Sequence, residues 1–223
     1  METLDYYNDP INAIRYRDFC ESRGCPLAKT LLKMIHLKLG DQFKFENGFL
    51  IDLACGSGTS IVTFSKLGFG KYLGVDFAAG MLNLLPAYIA PHNLNVETAQ
   101  LDLRQGIVPA PNDSADMVGC CSALMYLEDL THVFKEASRV LKRGGLFGFN
   151  VISCNSQSEI IYNFLDCDDV TMYVHSMAIL AKISNELGFH LVAGSSNIED
   201  RPNDNPYVPG IKSHETTLLL RKK

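Results

Sequence analysis

The chain has 223 residues, 47% hydrophobic and 20% charged, proportions that fit one soluble globular domain or one domain with a small addition. Twenty-five acidic residues against 20 basic ones give a formal charge of -5, which argues against a phosphate backbone as the main source of affinity. Seven scattered cysteines, an odd number that includes the adjacent Cys120-Cys121, fit reduced thiols and a cytoplasmic setting better than a disulfide framework.

The first ten residues carry no basic region leading into an apolar stretch, and no run of 18 apolar residues occurs, so neither secretion nor a membrane span is expected. Between Pro10 and Leu39 the apolar residues Ile11, Ile14, Phe19, Leu27, Leu31, Leu32, Ile35 and Leu39 recur at threes and fours, interrupted by Gly24-Cys25-Pro26. That spacing predicts two amphipathic helices, with Pro26 in the first turn of the second and Gly40 at its end. Residues 1–45 are read as an N-terminal helical lid and 46–223 as the main domain.

The period then changes. Residues 48–54 form a short apolar run closed by Cys55-Gly56-Ser57-Gly58, and 59–67 read as a helix, giving strand, glycine turn and helix. A second strand at 71–76 precedes a helical stretch at 78–85 that Pro86 breaks. Strands follow at about 95–101, 115–122 and 146–153, with a helix over 130–141 between the last two. Ser176 caps a helix over 177–187, and β-like runs at 190–193 and 216–220 flank a polar loop over 194–213 containing Pro202, Pro206 and Pro209. Strands alternating with helices predict a mainly parallel sheet covered on both faces.

Glycines at 56 and 58, directly after an apolar strand and before a helix, let the backbone approach a ligand at the carboxyl end of the sheet. A dinucleotide site wants a third glycine three residues on, and Ile61 stands there, so a pyrophosphate cofactor does not fit. Asp76, at the end of the second strand, is positioned to accept from ribose hydroxyls. An adenosine ligand with a compact linker suits the pair.

These residues resemble the class I S-adenosylmethionine-dependent methyltransferases, in their small single-domain form. The resemblance covers about 48–187. Leu50-Ile-Asp-Leu-Ala-Cys-Gly-Ser-Gly58 is similar to the first motif of that family, with Ala54 in place of its first glycine. It implies that Asp52, Ala54, Gly56, Ser57 and Gly58 shape the loop under the methionine part. Tyr72-Leu-Gly-Val-Asp76 resembles the second motif, so that Asp76 binds the ribose diol and Phe77 and Met81 pack on the adenine. Leu101-Asp102-Leu103 resembles the third, in which Asp102 accepts from the adenine amine and the Leu103 N–H donates to the ring.

Residues 116–128 resemble the fourth motif, a strand running out to the methyl group, which brings in Cys120. Val140-Leu-Lys-Arg-Gly-Gly145 resembles the family's turn before the fifth strand, with Arg143 for its usual proline. The implied fold is Rossmann-like and doubly wound: seven mostly parallel strands with an antiparallel last strand, and helices on both faces. The implied cofactor is S-adenosyl-L-methionine, with S-adenosyl-L-homocysteine as product.

A sulfonium methyl is already activated, so the protein chiefly holds the nucleophile in line and excludes water, and a general base is optional. Tyr126 is read as a pocket wall or a core-edge aromatic, and His175 as a base or a helix-entry residue. Cys120 and Cys121 read as packing residues, and Cys20-x4-Cys25 lacks the further ligands a metal site needs. Tyr7 is the first choice among the N-terminal tyrosines and arginines to reach cofactor or substrate. The expected activity is methyl transfer to an oxygen or nitrogen of a small molecule, without nucleic acid or membrane as partner. The alternatives are a protein or RNA side group as acceptor, or a non-catalytic subunit that keeps the fold.

Overall fold

The computed structural model describes residues 3–165, 170–197 and 213–223. Three helices come first: α1 (Thr3–Asn8), α2 (Pro10–Arg23) and α3 (Pro26–Leu39). The Asp9 carboxylate caps α2 by accepting from the Ile11 and Asn12 N–H groups at 2.9 and 3.0 Å, and Gly24 ends that helix with a left-handed φ of 61°. Strand β1 (Phe49–Leu53), helix α4 (Thr59–Phe64), strand β2 (Lys71–Asp76), helices α5 (Ala79–Leu82) and α6 (Leu85–Ile89), and strand β3 (Val96–Gln100) follow. The expected break near Pro86 is present: α5 ends at Leu82, and Pro86 stands in the first turn of the new helix α6.

Next come β4 (Ala115–Cys120), α7 (Thr131–Val140), β5 (Leu141–Cys154), β6 (Ile161–Leu165), β7 (Thr171–Ser176), α8 (Met177–Glu186), β8 (Phe189–Asn197) and β9 (Ser213–Lys222). The two last strands are longer than their apolar runs, and the middle of the predicted polar loop, 198–212, lies outside the described residues, as does Cys167.

β3, β2, β1, β4 and β5 pair in that order, all parallel. β9 then pairs antiparallel with both β5 and β8. These seven strands make the expected doubly wound sheet, with α7 and α8 on one face and α3, α4 and α6 on the other.

The addition is the antiparallel hairpin β6–β7. It is possible because β5 runs for 14 residues: 146–149 lie beside β4, whereas 152–154 continue past the end of β4 and pair parallel with β7. The strands 161–165 and 171–176 were not expected from the sequence, although the Ile, Tyr, Thr and Val there suit them.

Successive side chains of the central strands face opposite layers. Ile51, Val118, Phe147 and Phe149 join Phe134 of α7 and Phe189 in one core, and Leu50, Met117 and Leu146 join Leu31 and Ile35 of α3 and Phe64 of α4 in the other. Of the lid expected over 1–45, α3 thus packs into the main core, while Tyr7 and Ala13 of α1 and α2 pack on Ala78 and Met81 beside α5. No helix among the described residues is long and apolar enough to cross a membrane.

Candidate functional site

At the carboxyl ends of β1, β2 and β4 lies a cavity of ≈ 340 Å³, lined among others by Ala54, Gly56, Ser57, Asp76, Phe77, Met81, Asp102, Leu103, Tyr7 and Tyr126. That volume is in the range of small-molecule sites. The glycine turn forms its floor. Gly56 and Gly58 take φ of 53° and 91°, and a Cβ at Gly56 would come within 3.0 Å of Met81 Cε. Ala54 also holds a positive φ, 56°, the strained state that a glycine adopts without cost.

Asp76 holds this turn in place. Its Oδ2 accepts from the Gly56 N–H at 2.8 Å and its Oδ1 from the Ala78 N–H at 2.9 Å. Burial raises its pKa, and those backbone donors counter the rise. Asp52 lies beneath the floor and does not line the cavity. It is fully buried, Oδ2 accepts from the Ser60 hydroxyl, and Oδ1 has no hydrogen-bond partner. Burial pushes its carboxyl up to about 7, against the lowering effect of Ser60.

Asp102 faces the cavity with both oxygens on the Arg104 guanidinium, at 2.7 to 3.0 Å. That side-chain bond holds its pKa below the ordinary value. Arg104 itself lines the cavity, a residue the motifs gave no reason to select.

Two tyrosines of α1 and α2, Tyr7 and Tyr16, reach the exit of β4. The Tyr7 and Tyr126 hydroxyls lie 3.1 Å apart although 119 residues separate them, and Tyr16 lines the cavity together with Ser122. Ser122 has a φ of 60°, and its N–H donates to Oδ1 of the fully buried Asn150 at 2.6 Å. Asn150 donates in turn to Glu215 Oε1 at 3.2 Å. The hairpin contributes Thr171 and Tyr173 to the wall.

Four expected site residues stand elsewhere. Gly58 and Asp52 support the floor from behind. Cys120 is buried in the core and its neighbour Cys121 lines the cavity, because the strand alternates faces. His175 is fully buried on β7, outside the cavity lining, with Nε2 3.0 Å from the Leu127 carbonyl oxygen. Burial lowers its pKa, so it stays neutral and structural, and its reading as a base is corrected. Cys20, Cys25 and Cys55 also line the cavity, and burial raises the pKa of each thiol, that of Cys20 to about 11, so they remain unreactive. No group of three metal-ligating side chains occurs among the described residues.

The family model described as a methyltransferase domain matches residues 50–145. The demethylmenaquinone methyltransferase of Lactobacillus johnsonii is 34% identical over 125 residues, 54% of this chain and 47% of its own. The chain spans about half the length of the curated relatives it matches. Among solved structures, an S-adenosylmethionine-dependent methyltransferase from Clostridium acetobutylicum superposes with a TM-score of 0.64 at 15% identity, over 88% of this chain and 90% of that one. The geranyl diphosphate C-methyltransferase of Streptomyces coelicolor, in complex with Mg2+, geranyl diphosphate and S-adenosyl-L-homocysteine, gives 0.66 at 16% identity, covering 88% and 76%. At these identities the likeness is one of fold. Strand order, glycine turn and family match agree: residues 50–145 match a methyltransferase domain, and the sheet has the fold of the solved S-adenosylmethionine-dependent methyltransferases.

Proposed function

We infer that this protein binds S-adenosyl-L-methionine and transfers its methyl group to an oxygen or nitrogen of a small molecule. The observation that carries the reading is one cavity walled by the glycine turn, by Asp76 and by the apolar pair Phe77 and Met81. Gly56 carries no side chain at the cavity wall, and a Cβ there would press on Met81 Cε at 3.0 Å and disturb the apolar side of the site. A ribose diol suits the Asp76 carboxylate, an adenine ring suits the faces of Phe77 and Met81, and its amine suits Asp102.

When bound, the cofactor supplies an activated methyl group. The chain's own residues orient and enclose. The loop from Ala54 to Gly58 supports the methionine part, and α1 and α2 act as the lid, fastened by Tyr7 to Tyr126 and by the edge-to-face contact of Tyr16 with Tyr7. Shutting water out strengthens every polar contact inside and holds the acceptor in line with the bond to be broken. None of the lining tyrosines or cysteines whose pKa burial raises can take a proton near neutral pH, so positioning outweighs base catalysis.

Calorimetry with S-adenosyl-L-homocysteine tests the reading. Micromolar binding that Asp76→Ala abolishes is the expected result. No binding, or binding indifferent to that substitution, would overturn it.

A further inference from the structure

Tyr7, Tyr16, Tyr126 and Tyr173 all line the cavity, brought there by α1, α2, the segment after β4 and the β6–β7 hairpin. Tyr7 meets Tyr16 edge to face at a centroid separation of 5.0 Å and Tyr126 at 6.2 Å, so the rings hold one another at fixed angles. The frame behind them is polar and rigid. Ser122, which lines the cavity beside Tyr16, is kept at its unusual φ by Asn150, itself tied to Glu215. A strained residue over-determined in this way marks a place where geometry is being specified.

The charges of the cavity are accounted for elsewhere. Asp76 holds two backbone N–H groups and has its remaining accepting capacity assigned to the ribose, and Asp102 is paired with Arg104 on the adenine side. No lysine or histidine is among the lining residues. The tyrosine end therefore offers hydroxyl groups and ring surface, without formal charge of either sign.

We propose that the acceptor is an oxygen on a flat ring, a phenol- or enol-type hydroxyl reacting as its oxyanion, and that Tyr7 and Tyr126 determine that specificity by hydrogen-bonding the oxygen. This rests on the methyltransferase reading above. The two phenol hydroxyls already accommodate an oxygen, because each occupies for the other the place of an oxygen ligand at 3.1 Å. An acceptor oxygen placed between them accepts from both in place of their mutual bond. Burial keeps the Tyr7 phenol neutral, so it donates without competing as a nucleophile.

The alternatives fit less well. A protonated amine wants a carboxylate, and both lining carboxylates are engaged. An alcohol of high pKa wants a base, and the lining residues provide none. An oxyanion needs only donors and a counter-charge, and the cofactor's sulfonium carries that positive charge. The acceptor proton is lost to solvent before transfer. In the transfer an oxygen–carbon bond forms, the carbon–sulfur bond breaks, and its electron pair stays on sulfur. No proton moves in that step, and the charges of the two reactants cancel.

The test uses the full chain saturated with sinefungin, a cofactor analogue whose ammonium group stands where the sulfonium charge would be, and 4-nitrophenol as probe, whose ionisation is read from its visible absorbance. Hydrogen bonds to the charged form lower a pKa, so the bound probe should ionise at lower pH than the free probe, by roughly 1 unit. Tyr7→Phe and Tyr126→Phe, each checked by thermal melting, should each reduce that displacement. An unchanged or raised ionisation pH in the wild-type protein would overturn the proposal, whatever the variants do. So would binding of benzyltrimethylammonium in preference to nitrophenol, which would mark a cationic acceptor. Failure to bind S-adenosyl-L-homocysteine defeats the cofactor reading and this proposal with it. Cofactor binding without the probe effect defeats this proposal alone.

Discussion

The Asp76 carboxylate and the Gly56 N–H are 2.8 Å apart, so the acid expected to hold the ribose also fixes the turn beneath the cofactor. Its second oxygen holds Ala78 at the entry to α5. Asp76→Ala should therefore lower stability as well as affinity, by about 1–3 kcal/mol for backbone donors left unpaired. Asp76→Asn keeps an acceptor for one of them and should fall between. Thermal denaturation without ligand separates this contribution from cofactor binding, and an unchanged melting temperature for Asp76→Ala would refute it.

Asp52 gives a pH dependence with a definite sign. Its folded-state carboxyl titrates near 7, above the ordinary value of 3.8, so between those pH values the folded chain holds a proton that the unfolded chain has lost. Stability should fall as pH rises through that window, by up to roughly 4 kcal/mol from this group. Below pH 4 the contribution is intact. Asp52→Asn, which still accepts from Ser60, should flatten the fall. Melting temperatures from pH 4 to 8 for both proteins check it, and parallel curves would refute the assignment.

Ala54 stands in the left-handed region where the related motif has glycine. Removing its Cβ relieves a cost of about 1–2 kcal/mol, offset in part by the larger freedom of glycine in the unfolded chain. Ala54→Gly should thus be neutral to stabilising, by up to about 1 kcal/mol, with S-adenosyl-L-homocysteine affinity unchanged or improved. Denaturant unfolding and calorimetry measure both, and a clear loss of stability would contradict the strain.

His175→Gln separates the two readings of that residue. Its imidazole bonds the Leu127 carbonyl from inside the core. A glutamine amide can make the same bond, so once an acceptor is known, turnover should stay within a few-fold of wild type. Loss of a general base would cost about 10²–10⁴. A flattened lower limb in the pH–rate profile of the variant would restore the catalytic role.

What was legible in the sequence was what local chain order encodes. The turn from Cys55 to Gly58, with its preceding apolar strand and Asp76 one strand later, is a signal contained in 30 residues. The hairpin was not legible, because β7 pairs with an overhang of β5 about twenty residues away, a register that no local pattern states. The exchange of Cys120 for Cys121 has a different origin. A central parallel strand is apolar on both faces, so Ala115 to Cys121 shows no alternation from which to read direction. His175 looked like a loop residue because it precedes an N-cap, and its strand was set by that same distant pairing. The Asn150–Ser122 and Tyr7–Tyr126 contacts span 28 and 119 residues, and only the folded chain brings them together.

The overhang of β5 has one more consequence. The hairpin joins the sheet only through residues 152–154, whereas the cofactor floor is built from β1, β2 and β4. The part of the wall made by Thr171 and Tyr173 and the floor made by the glycine turn therefore sit on separable pieces of chain. About twenty residues of hairpin can be rewritten to reshape that side of the cavity while the strands that carry the floor are left untouched.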